Sequence, residues 1–249
     1  MTARDPRQDR KHLRVSLLGG FRFEADGVSV LVPDGSQRLL AYLALKGQSV
    51  RRSAAAGTLW PAVSDDHASS SLRSALARLS RAARASVVAT TKEIGLSPDV
   101  GVDLWDSRDL AHLLAAPARS SSPAFAPDVY AIDDLSNEIL PGWYDDWVLV
   151  EAEDWRQVRL HALEALADLL VERQQYADAA TAALAAVRAE PLRESPHAAL
   201  IRVHIAEGNP SEALREFAQY GEFLRLELGI EPTEQLRMLV SQLFPVAAR

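Results

Sequence analysis

A chain of 249 residues is long enough for two domains, and 48% apolar with 24% charged residues are the proportions of a soluble globular protein. Cysteine is absent, which excludes a disulfide frame, a thiolate zinc site and a thiol nucleophile. The net charge of −7 hides a division: residues 1–106 carry 15 Lys and Arg against 11 Asp and Glu, and residues 107–249 carry 12 against 23. Such a division points to a cationic contact module joined to an acidic interaction module. The N-terminus is polar and no apolar run approaches the ~18 residues of a membrane span, so a cytoplasmic location is expected. Arginine outnumbers lysine 24 to 3, a composition of high-GC bacterial genomes.

Residues 1–12 read as a polar, mobile arm carrying Arg4, Arg7, Arg10 and Lys11. From Leu13 the period is two, with Leu13, Val15 and Leu17 alternating with Arg14 and Ser16, then Phe21 and Phe23 with Arg22 and Glu24. Asp26-Gly27 marks a hairpin, and Val28, Val30 and Val32 continue the alternation, so an antiparallel sheet leads the chain. A first helix is expected behind a Ser36 cap, with Leu39, Leu40 and Leu43 as its apolar stripe and Gly47 as its end. A second, short helix starts near Ser53 and stops at Trp60-Pro61.

The third helix, expected over Ala68–Arg84, holds no acid. At about 100° per residue, Ala68, Leu72, Ala75, Leu76, Leu79 and Ala83 share one face, and Ser70, Arg73, Ser74, Arg78, Arg81 and Arg84 lie opposite. Asp65 and Asp66 suit its N-terminus. A slim helix, positive along one face, has the shape and charge to enter a DNA major groove. Val87–Thr91 and Ile94–Ser97 then form a hairpin with Lys92 at its tip. This order of sheet, three helices and hairpin, over residues 13–105, resembles the winged helix-turn-helix of OmpR-like output domains. The resemblance implies that the third helix lies in the major groove and the wing beside the minor groove. Arg73, Ser74, Ala77, Arg78 and Arg81 then take groove-facing positions, Lys92 takes the wing tip, and Ser80 stands where such helices carry another arginine.

Val102–Trp105 closes the first domain, Ser107–Ala115 reads as a short helix, and 117–123 (PARSSSP) as a turn-rich break. The aromatic run 140–148, LPGWYDDWV, reads as a packed corner against the helix that follows it. From Glu151 the pattern is helical. Shifted by 34 residues, Ala165, Leu166, Val171, Ala179 and Ala183 align with Ala199, Leu200, Ile205, Ala213 and Phe217, the period of a tetratricopeptide-type array. Glu190-Pro191, Gly208-Asn209-Pro210 and Glu231-Pro232 are its breaks. The layout is therefore an arm over 1–12, a winged-helix domain over 13–106, connecting helices over 107–150 and an all-α repeat domain over 151–249.

LPGWYDDWV, EPLRESPHAALIRVHIAEGNPSEALREF and LELGIEPTEQLRML together resemble the bacterial transcriptional activator domain. Behind an OmpR-like domain this is similar to the short, two-domain form of the Streptomyces antibiotic regulatory proteins, over about residues 13–244. The resemblance implies a sequence-specific activator of a secondary-metabolite gene cluster. It would bind direct repeats of double-stranded DNA near promoters, as a homodimer or a cooperative pair, and recruit RNA polymerase holoenzyme. No cofactor, metal or membrane is implied. No HExxH, GxSxG or phosphate-loop motif stands in a credible context, and His197 and His204 lie about 10.5 Å apart along a helix, too far for one metal. Two other readings remain open. One is a protein-interaction scaffold; the other is a ligand sensor whose pocket Trp143, Tyr144, Trp147 and Trp155 line.

Overall fold

The structure, a computed structural model, describes residues 12–116, 130–241 and 243. The expected arm, His12 apart, and the break at 117–123 lie outside the described residues. The chain divides into two compact units: residues up to Asp106 with Glu138–Trp155, and Ser107–Asn137 with the chain from Arg156 onward. Winged-helix elements followed by a helical domain is the fold class expected from the sequence.

The first unit runs β1 (Leu13–Ser16), β2 (Arg22–Ala25), β3 (Val28–Ser29), α1 (Asp34–Lys46), β4 (Val50–Arg51), α2 (Arg52–Leu59), α3 (Asp65–Ala77), α4 (Arg81–Ala85), β5 (Val87–Ala89), β6 (Glu93–Leu96) and β7 (Val100–Val102). Asp26 at φ 53° and Gly27 at φ 78° supply the left-handed pair that the tight β2–β3 turn requires. The leading sheet has a fourth strand, because β7 lies parallel beside β1 in the order β3-β2-β1-β7. Alternation buries Val15, Leu17 and Phe23 from this sheet against Leu39, Leu40 and Leu43 of α1, with Leu59, Leu72 and Ile94 completing the core. Asp103 closes the sheet: its carboxylate accepts hydrogen bonds from the amides of Leu17 (2.8 Å), Leu18 (3.2 Å) and Leu104 (2.8 Å). Burial pushes the Asp103 carboxyl up from its ordinary pKa, while those three amides and the nearby Arg14 oppose the shift.

Ser36 does not cap α1. Pro33 is the N-cap residue, and Ser36 sits fully buried in the first turn, where its hydroxyl donates to the Ala75 carbonyl at 2.7 Å and ties α1 to α3. Gly47, at φ 63°, closes α1 as expected, with its N–H donating to Leu43 at 3.1 Å.

The aromatic run packs on this unit as well as on the helix that follows it. Ile139 bridges Leu18, the Gly19 N–H donates to Glu138, and the Leu140 N–H donates to Leu17 at 2.8 Å. Leu140-Pro141-Gly142-Trp143 then turns, with Gly142 at φ 85° and the Trp143 N–H donating to Leu140 at 3.0 Å. Trp143 stacks on Phe21 at 6.4 Å, and Trp147 meets Tyr42 edge-on at 5.5 Å. Arg38 of α1 donates to Asp145 at 2.8 Å and to the Leu59 carbonyl at 2.9 Å. Residues 138–155 thus form a strap across the sheet and α1, and the stretch read as connecting is shared between the two units.

The helices that continue the chain are α5 (Asp103–Leu114), α6 (Tyr130–Ser136), α7 (Asp146–Glu172), α8 (Tyr176–Ala189), α9 (Glu194–Glu207), α10 (Pro210–Leu228) and α11 (Glu234–Ser241). In the second unit the consecutive helices α8, α9 and α10 pack on one another and α11 covers the end of the stack. Ala179, Ala182, Ala183 and Ala186 of α8 are all fully buried, and small side chains there leave room for the neighbouring helices. Residues one period apart also meet: Arg202 grips Asp168 bidentately at 2.9–3.0 Å, and Arg156 pairs with Glu190. The buried His197 stacks on Tyr220 at 4.0 Å, with Nδ1 2.6 Å from the Glu216 carboxylate and Nε2 2.9 Å from the Pro191 carbonyl. Glu194 accepts from the Thr233 amide and hydroxyl at the head of α11. Among the described residues no helix is long and apolar enough to cross a membrane.

Candidate nucleic-acid interface

Ser64 precedes α3 with extended backbone and Asp65 and Asp66 occupy its first turn, where carboxylates favour a helix start. Ala68, Leu72, Ala75 and Leu76 are buried, and this stripe packs α3 on α1 and α2. Ser70, Arg73, Ser74 and Ala77 are exposed at the i, i+3, i+4, i+7 spacing of a single face, and Arg78 continues it as the C-cap residue.

The single helix expected over Ala68–Arg84 is in fact two. The α-helical path ends at Ala77, and Ser80 takes up extended backbone and caps α4 by accepting the Ala83 N–H at 3.3 Å. A hydroxyl at this point competes for backbone amides, which the apolar periodicity, continuous through Leu79 and Ala83, does not reveal. Ser80 is thus a cap residue at the position where the resemblance implies an arginine. Arg81 and Arg84 are exposed but belong to α4, and Arg84 is partly committed, donating to the Val87 carbonyl at 2.8 Å.

The wing is β5–β6, paired Val87↔Leu96, Val88↔Gly95 and Ala89↔Ile94. It is shorter than the expected Val87–Thr91 and Ile94–Ser97 strands, because Thr90 folds the turn on itself. The Thr90 Oγ1 accepts from the amides of Lys92 (3.3 Å) and Glu93 (3.0 Å), so Glu93 opens β6 and Lys92 stands exposed in the turn. The strand β4, unmarked in the sequence by any alternation at two residues, adds to the other side of β6. There β6 passes so close to Ser49 that a Cβ on Gly95 would stand 2.8 Å from its hydroxyl and 3.1 Å from its Cα, and only glycine fits.

All eight residues singled out, Ser70, Arg73, Ser74, Ala77, Arg78, Arg81, Arg84 and Lys92, are exposed in the first unit. Among the described residues no ion pair engages Arg73, Arg78, Arg81 or Lys92. By contrast, Arg14, Arg38 and Lys46 of the same unit are paired with Asp106, Asp145 and Glu151. No three His, Asp or Glu side chains among the described residues converge where a metal ion would sit.

In chain order, a winged-helix unit with an exposed arginine face on α3 thus precedes the stacked helices of the second unit. Residues 99–243 match the profile of the bacterial transcriptional activator domain, and the chain belongs to that family. It is 28% identical over 238 residues, 91% of its length, to Regulatory protein AfsR of Streptomyces coelicolor, of which it spans 24%. Its fold is similar to Mycobacterium tuberculosis EmbR, solved in complex with a low affinity phosphopeptide. There the TM-score is 0.62 at 23% identity, covering 93% of this chain and 64% of that one. The chain thus spans about a quarter of the curated relative and about two thirds of the solved one.

Proposed function

We propose that the first unit binds double-stranded DNA sequence-specifically through α3 and the wing, and that the second unit conveys activation to RNA polymerase holoenzyme. The observation that carries this reading is the α3 face of Ser70, Arg73, Ser74, Ala77 and Arg78, which holds cations without acids while other arginines of the unit are ion-paired. Arg73 or Arg78 reaching the O6 and N7 of a guanine supplies base discrimination; Arg81, Arg84 and Lys92 supply phosphate contacts. The acidic second half repels DNA, and its helices are the surface for a second copy or for the polymerase. Two copies side by side on direct repeats give an avidity gain of about 10²–10⁴ over one. The chain acts by binding, without a catalytic step, in the bacterial cytoplasm at the nucleoid. The genes controlled are those of a secondary-metabolite cluster.

Selection of duplexes by the full chain from a random pool tests this. Two similar half-sites, centred about one helical turn or a multiple apart, are expected. Inserting half a turn should abolish cooperative occupancy, and transcription in a purified system should rise only with the intact site. A selected pool indistinguishable from the starting pool would contradict the reading.

A further inference from the structure

The pairing of β4 with β6 gathers a second group of cations at the wing, outside the α3 face. In register, Val50 stands opposite Ile94 and Arg51 opposite Glu93. Ile94 is fully buried, so alternation turns Arg51 and Glu93 to the outer face of this small sheet. Arg52 opens α2, and its backbone N–H donates to the Lys92 carbonyl at 2.9 Å, which sets the two residues side by side. Arg51 and Lys92 are exposed, Arg52 is half-buried, and among the described residues no ion pair engages any of the three. Glu93 offsets one of these charges and leaves a net of two positive charges at the turn. Like charges placed together on a sheet and its edge disfavour the fold, and an anion is what relieves them. The phosphate backbone of duplex DNA is a run of anions that can meet several cations at once.

We propose that Arg51, Arg52 and Lys92 form a phosphate clamp on duplex DNA, distinct from the base-facing surface of α3. The clamp rests on the DNA-binding reading above and adds to it Arg51 and Arg52, which neither periodicity nor the family resemblance marks. It fixes the wing on the backbone and carries no sequence information, because phosphates are the same in every sequence.

The test uses the full chain, the double variant Arg51→Gln/Arg52→Gln and its charge-keeping counterpart Arg51→Lys/Arg52→Lys. Binding is measured by fluorescence anisotropy on the selected duplex and on an unrelated duplex, over 50–200 mM salt. Each lost phosphate contact lowers the slope of log K against log salt by about 0.9, so the glutamine variant should lose about 1.8. The advantage of the native chain over that variant should shrink about twelve-fold across this fourfold salt range, equally on both duplexes. The lysine variant should keep a slope near the native one. A native slope in the glutamine variant overturns the clamp, as does a loss confined to the selected duplex. So does a lysine variant that loses as much as the glutamine one, since the residues would then serve only to seat β4. If the native chain binds neither duplex, the DNA-binding reading falls and takes the clamp with it; native binding with an unaltered variant slope removes the clamp alone.

Discussion

Trp147 offers a strong test of the strap, because it lies 70 residues beyond α3 in sequence yet is part of the same unit. It is 9% exposed, meets Tyr42 edge-on at 5.5 Å and Trp143 at 6.3 Å, and its indole N–H is buried without an acceptor among the described residues. Trp147→Ala removes a packed aromatic, a change that costs about 3–5 kcal/mol. Releasing an unpaired buried donor returns about 1 kcal/mol of that, for a net loss of about 2–4 kcal/mol by the two terms together. Trp147→Phe keeps most of the ring and discards the unpaired N–H, so it should lie within about 1 kcal/mol of native in either direction. Urea unfolding of the full chain, followed by hydrogen exchange at the amides of β1 and α1, reads the stability of the first unit directly. Exchange at those amides should quicken in Trp147→Ala and stay near native in Trp147→Phe. Unchanged exchange at β1 and α1 in the alanine variant would refute the strap, since residues 138–155 would then stabilise only the helix they begin.

Lys92→Glu should weaken binding on every duplex while the preferred sequence stays the same; a changed preference on reselection would place Lys92 among the base readers instead. Ser36→Ala leaves the buried Ala75 carbonyl without its hydroxyl donor and should cost about 1–2 kcal/mol in a urea melt, with a native melt as the contrary result. Tyr220 is pushed up from 10.0 to about 12, first by burial and then by the nearby Glu194. A raised pKa favours the neutral phenol in the fold, so this contribution to stability is complete below pH 10 and is lost as pH rises toward 12. Between about pH 9 and pH 11 the native second unit should therefore lose more stability than Tyr220→Phe, and parallel losses would show that the phenol does not titrate there.

The long periodic elements were legible in the sequence because burial of one face imposes the period. Leu39, Leu40 and Leu43 of α1, and Ala68, Leu72 and Ala75 of α3, lie where the pattern puts them. What escaped reading depends on pairing or on local competition. The strands β4 and β7, two and three residues long, exist because β6 and β1 offer them free edges, and such strands have no period of their own. The break at Ser80 depends on one hydroxyl winning a backbone amide, and Ser36 is a buried donor rather than a cap because α3 brings a carbonyl to it from 39 residues away. The aromatic run at 140–148 announced packing, but its partners, Phe21, Tyr42 and Arg38, are more than 100 residues distant in sequence. The exposed arginines were visible as an acid-free stretch; the split of their helix was not.

The exposed face of α3, continued by Arg81 at the start of α4, grips DNA in this reading, and the most direct measurement is the salt dependence of binding by the full chain and by Arg73→Ala/Arg78→Ala/Arg81→Ala. The triple variant should lose both affinity and preference for the selected duplex. Each arginine that reads a base should contribute about 1–3 kcal/mol, and each that holds a phosphate should lower the salt slope by about 0.9. A triple variant with native affinity, native preference and a native slope would contradict it.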